Sequence, residues 1–299
     1  MIKKIFLSII VFGLAFAIPW FAINYVNQTA SVFSYNYDQS GNYKPLASAK
    51  KIRILIVPGH EPNYGGAEFG VTKERDLTVE IGQDLKNFLE QNSNYQVFIT
   101  RDTEDWNPIF ADYFKKNWND IIAWEKLSRQ EEIAKISSGE EQKPIPTVLH
   151  NTVPDDVGTR LYGIIKWADE NSIDLMIHIH IDDYAGHSRS TPGKYSGFSI
   201  YVPVEQYNNS QASHNVAEEV LSHLTSVQSI SNLKAESGGI IDEPRLIAIG
   251  AHNTSVVPSM LIEYGYIYEN KFTNVLLRPQ TLKNMAYQTY LGIQDFFNK

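Results

Sequence analysis

Four stretches of the sequence end or begin a regular element on a side chain able to hold a metal or move a proton. IVPGHEPNYGG (56–66) stops its apolar run at Pro58-Gly59, presents His60, and enters a loop with two further glycines. Lys73-Glu74 opens an amphipathic segment, which places Glu74 in a first helical turn. IDLMIHIHIDDY (173–184) carries His178 and His180, and PSMLIEYGY (258–266) carries Glu263 two residues before Gly265. Two imidazoles and a carboxylate converging on one point are the ligand set of a catalytic zinc site, whose fourth tetrahedral position is left to water. A further glutamate near but not on the metal is what such a site needs to take a proton from that water, and Glu263 fits the role. The chain contains no cysteine, so thiolate sites and cysteine nucleophiles are excluded and any metal is held by His, Asp or Glu.

Taken singly, these residues have plainer readings. A histidine at a strand end is usually a hydrogen-bonded structural group, and an acid in a first helical turn complements the helix dipole. Glu263 is different, because a carboxylate inside an apolar strand is costly unless partnered. What makes a site of them is the arrangement of the elements. KIRILIVP, YQVFITR, IDLMIHIHI, SGFSIYVP and PSMLIEYG read as strands. They alternate with helical patterns, among them ERDLTVEIGQDLKNFLEQ with Leu77, Ile81, Leu85 and Leu89 on one stripe, TRLYGIIKWADENS, and segments at 211–226 and 280–297. That alternation predicts an α/β fold with a mostly parallel sheet flanked by helices. In such sheets catalytic groups gather outside the carboxyl ends of the strands, where His60, Glu74, His178, His180 and Glu263 are all expected.

The rest of the chain bounds where this chemistry takes place. An uncharged apolar run from Ile5 to Val26 follows Lys3 and Lys4 and has the length of a membrane-spanning helix. Residues 1–27 are therefore expected to be an N-terminal transmembrane helix with the domain on the extracytoplasmic side. The alternative is a cleaved signal peptide, with Ala15-Phe16-Ala17 as the processing site, which makes the protein secreted. Residues 28–50 read as a polar linker and 51–299 as one domain, with a helical insertion near 103–157: one or two amphipathic helices, then a loop over about 137–157. Beyond residue 30 the chain has 24 basic against 34 acidic side chains, which argues against nucleic acid as a partner.

The motifs resemble those of the zinc-dependent N-acetylmuramoyl-L-alanine amidases. PGH with its Gly-rich loop, KERDLTVEIG, ITRD, IHIHIDD and VPSMLIEYGYI stand in that family's order across residues 51–297. The resemblance implies a six-stranded α/β domain, Zn2+ as cofactor, peptidoglycan as substrate, and hydrolysis of the amide between N-acetylmuramic acid and L-alanine. It makes His60, Glu74 and His180 the zinc ligands and Glu263 the catalytic glutamate, and it gives Arg101 a structural role. No regulatory partner is indicated.

Three departures stand out. His178 replaces a serine, and its period-two spacing from His180 puts both imidazoles on one face of the strand. It is either a ligand or a group that keeps Glu74 or His180 in orientation, register favouring His180 as the ligand. Asp182 replaces an asparagine and adds negative charge near the metal. The 102–157 stretch is longer than the family needs, and its Trp106 and Trp118 are candidates to line a glycan groove.

Overall fold

The computed structural model describes residues 37–44, 50–148 and 153–299. The expected membrane segment 1–27, much of the 28–50 linker and His150 lie outside the described residues. Among those described, no helix is long and apolar enough to cross a membrane.

The centre of the fold is a six-stranded sheet in the order β4-β1-β5-β8-β6-β7. Its strands are β1 (Ile52–Pro58), β4 (Tyr95–Ile99), β5 (Leu175–Asp182), β6 (Ser199–Val202), β7 (Ile240–Asp242) and β8 (Ser259–Tyr266). Every neighbouring pair is parallel except β6 with β8. A small antiparallel pair, β2 (Glu68–Phe69) and β3 (Thr72–Lys73), stands apart from this sheet. The central strands are buried on both faces, which explains why they read as continuous apolar runs rather than alternating ones.

Two helical layers cover the sheet. Ile54, Ile56, Ile177, Ile179 and Ile262 face α1 (Glu74–Leu89), α4 (Ser210–Leu224) and α6 (Arg278–Phe297), in one core with Ile81, Leu85, Val216 and Leu282. On the opposite face Leu55, Val57 and Met176 pack with Phe110, Phe114 and Ile121 of α2 (Pro108–Ser138) and with Tyr162 and Ile165 of α3 (Asp155–Glu170). The even-numbered positions of β5 thus point toward the α2/α3 side, and His178 and His180 go with them. A short helix, α5 (Asn270–Thr273), links β8 to α6.

The 103–157 region contains one helix of 31 residues. Asn107 caps it, its side chain accepting from the Ile109 amide at 3.1 Å; Pro108 occupies the first turn, and Gly139 ends it in the left-handed conformation (φ 80°). Its far half is tied to the body through the buried Glu132, which accepts from Tyr207 Oη at 2.8 Å and pairs with His252 Nδ1 at 2.6 Å. Within the stretch expected as a linker, residues 37–44 lie against the domain, Tyr37 stacking on Phe296 and Tyr43 meeting Phe297 edge-on.

Candidate metal centre

Three elements deliver three donors to one point. β1 ends at Pro58, and the chain turns through Gly59 into His60, whose backbone is left-handed (φ 70°), an uncommon state for a residue with a side chain. α1 begins at Glu74, in the position where the helix dipole favours an anion. β5 lies beside β1 and carries His180 at its carboxyl end. His60 Nε2 is 2.8 Å from Glu74 Oε2, His180 Nδ1 is 3.0 Å from Glu74 Oε1, and the two imidazole centroids are 4.9 Å apart. The donor atoms of the three residues fall within 4.8 Å of one another.

Two glycines make this convergence possible. A β-carbon on Gly59 would stand 2.5 Å from His180 Cε1, so only a bare backbone lets the His180 ring lie across the turn. At Gly66 (φ 87°) a β-carbon would reach 3.0 Å from His60 Cδ2 and 3.2 Å from Glu74 Oε2. The glycines of PGH and of the following loop therefore serve side-chain packing at the site as well as turning the chain.

Glu74 is buried, and its carboxylate is fixed on both oxygens, Oε2 accepting from the Ala67 amide at 2.7 Å and Oε1 from the Ile181 amide at 3.0 Å. Burial alone would raise its pKa, but the charge of His60 and the hydrogen bond with His180 outweigh it and hold the group well below the usual carboxylate range. Burial pushes His180 down, against the pull of Glu74. Arg101, 1% exposed, braces the approach: it donates to the carbonyls of Pro58, Gly59 and Arg75, locking the His60 turn onto α1.

Glu263 sits on β8 directly opposite His180 in the parallel register. Its Oε2 is buried without a hydrogen-bond partner, and burial, followed by repulsion from Asp182, Glu74 and Glu236, pushes its pKa well up. Asp182 is raised in the same way, by burial and then by Glu236 and Glu74. Glu236 was not singled out from sequence; it is 1% exposed and accepts from Tyr201 Oη at 2.5 Å and Tyr266 Oη at 3.1 Å. His178 does not join the three donors: both its nitrogens are buried without a hydrogen-bond partner, and burial, then His180, lowers its pKa to about 3. It hydrogen-bonds neither Glu74 nor His180, so any orienting effect it has on them is by packing.

The donor set fits a divalent cation. His60 Nε2 is buried with the Glu74 carboxylate beside it, Oε2 at 2.8 Å, so nitrogen and oxygen already face one point. Two imidazoles and one carboxylate suit zinc, and the surrounding excess of carboxyl groups favours a positive charge.

Over residues 54–295 the chain matches the sequence model of the family described as N-acetylmuramoyl-L-alanine amidase. The chain belongs to this family. No curated protein sequence matches it. Solved amidase structures share its fold at low identity. The CwlD amidase of Clostridioides difficile, solved in complex with the GerS lipoprotein, is 18% identical with a TM-score of 0.55, over 83% of this chain and 99% of that one. Ami1 of Mycobacterium smegmatis is 13% identical with a TM-score of 0.55, over 83% and 98%. AmiC2 of Nostoc punctiforme is 17% identical with a TM-score of 0.51, over 84% and 100%.

In this amidase a cleft of about 470 Å³ opens along the loop that follows His60, lined by none of the three donors nor by Glu263. Its wall is cross-linked: Glu61 accepts from Arg160 Nε at 2.8 Å and Trp106 Nε1 at 3.2 Å, and Asp156 accepts from the other side of the Arg160 guanidinium at 2.6 Å. Tyr64 and Val157 complete it. Trp106 therefore lines the cleft, whereas Trp118 contributes from beside it, with the Arg160 guanidinium 5.9 Å from its ring. His252, His214 and His223 are engaged elsewhere, with Glu132, Asp242 and Asp295.

Proposed function

We propose that this amidase cleaves the amide joining the lactyl group of N-acetylmuramic acid to L-alanine in peptidoglycan, with zinc held by His60, Glu74 and His180. The observation that carries the reading is that these three donors lie within 4.8 Å of one another on the family's fold, with Glu263 in register with His180 on the next strand. Zinc bound there supplies Lewis-acid polarisation of the scissile carbonyl and a water that loses a proton near neutral pH. With a cation bound there to offset the repulsion from Glu74, Asp182 and Glu236, Glu263 would be ionised and placed to take a proton from the attacking water and return it to the departing amine. Glu74, held on both oxygens by backbone amides, keeps its geometry throughout. The cleft along the loop that follows His60 receives part of the polymer flanking the bond, with Trp106 and Tyr64 offering apolar surface to it. The apolar N-terminal segment exports the domain to where this polymer is, as a membrane-anchored protein or, if the segment is cleaved, a secreted one.

Digestion of purified peptidoglycan followed by mass spectrometry tests the reading. Free stem peptides and unsubstituted muramic acid are expected; other fragments indicate a different amide, and binding without fragments a non-catalytic wall protein. Glu263→Gln is expected to lower the rate about 10²–10⁴-fold with the zinc content unchanged. A variant that keeps both zinc and full activity removes Glu263 from the chemistry.

A further inference from the structure

We propose that the end of the domain opposite the metal centre is its membrane-facing surface, so that the catalytic rim is held pointing away from the lipid. The proposal rests on the reading of residues 5–26 as a retained anchor and is independent of the reaction. Where the chain enters the domain carries it. Residues 37–44 form a closed turn, bridged from Tyr37 to Tyr43, with the Gly41 amide donating to Asp38 O at 2.9 Å and the Asn42 amide to Asp38 Oδ1 at 3.0 Å.

This turn is bound at one end of the sheet. Tyr37 Oη donates to the carbonyl of Asp174, the residue before β5; its ring stacks on Phe296, and Tyr43 packs edge-on against Phe297 with centroids 4.9 Å apart, both at the end of α6. Asn215 Nδ2 adds a bond to Ser40 O at 2.8 Å. Every one of these contacts is remote from His60, Glu74 and His180, which stand at the carboxyl ends of β1 and β5. The six residue steps from Asp174 to His180 along β5 separate the two ends by about 20 Å at about 3.3 Å per residue.

Between the apolar run and Tyr37 lie ten residues, 27–36, whose reach is at most about 35 Å when fully extended. Bringing the rim to the bilayer would take more than half of that length merely to pass the domain.

The absence of cysteine makes a direct test clean. Val71→Cys marks the rim, 93% exposed at the β2–β3 turn beside the start of α1, and Asn298→Cys marks the opposite end. Full-chain protein carrying a donor dye at either position is reconstituted into phosphatidylcholine–phosphatidylglycerol vesicles containing an acceptor-labelled lipid. Energy transfer is expected to be several-fold greater from position 298 than from 71. Tyr37→Ala with Tyr43→Ala, which frees the turn, is expected to shrink the difference. Equal or reversed transfer overturns the proposal, as does a full chain that fails to float with the vesicles. Neither result depends on hydrolysis: a chain oriented this way but inert on peptidoglycan refutes the amidase reading alone.

Discussion

At the scale of single residues, the metal centre depends on atoms that are missing as much as on ligands that are present. His60 is held in a left-handed backbone state and covered by Gly65 and Gly66. The sequence pointed to His60, Glu74 and His180 because each closes or opens a regular element, and position within an element is readable from pattern. It did not point to Glu236, which lies 27 residues from Glu263 in a short 3-10 turn and meets it only through the fold. Gly66→Ala is expected to weaken metal binding about 10–100-fold, the size of effect seen when the support of a ligand is disturbed, because the new methyl meets both His60 and Glu74. Chelator competition measures it. An affinity equal to that of the parent would show that the loop yields without moving the donors.

At the scale of elements, the site is a product of β1, β5 and β8 running parallel, so that their ends share one rim. These strands were legible because buried parallel strands are long and uniformly apolar. β7 was not, because three residues pairing at a sheet edge leave no periodicity to detect. The long α2 was less clear than α1 because its buried positions thin from Phe110, Phe114 and Ile121 to the polar Ser128, which bonds back to the Trp124 carbonyl, and Glu132, whose partners Tyr207 and His252 come from distant loops. The junction of α3 with the segment leading into β8 carries a titrating group. Asp169 accepts from the Val256 amide at 3.3 Å, yet burial raises its pKa from 3.8 to about 7. Between about pH 4 and 7 the folded state then binds a proton that the unfolded state has lost, so stability falls as pH rises through that window and levels off above it. Asp169→Asn keeps the acceptor and removes the titration. Melting curves from pH 4 to 8 are expected to show the parent losing up to about 4 kcal/mol relative to the variant. Parallel curves would place the carboxyl in solvent.

At the scale of the whole molecule, three apolar clusters fill both faces of the sheet, and the metal donors stand at its rim outside them. The domain is thus expected to stay folded without metal and to be stabilised by it. Zinc at about a thousand times its dissociation constant adds about 4 kcal/mol, which for a chain of this size raises the melting temperature by roughly 10 °C. Scanning calorimetry with chelator and then with added zinc checks this; a melting temperature indifferent to both would mean the three donors do not hold the ion.

The sequence by itself determined the alternation of strands and helices, the absence of thiol chemistry, and which side chains stand at the carboxyl ends of strands, since all of these follow from local pattern and composition. Only the tertiary structure decided which of those side chains meet. His178 and His180 share a face of β5, yet Glu74 and the Gly59 turn reach His180 and leave His178 enclosed by the sheet and helices. That difference comes from the packing of β1 and α1 against β5, a contact between segments more than a hundred residues apart, to which no local pattern in either segment responds.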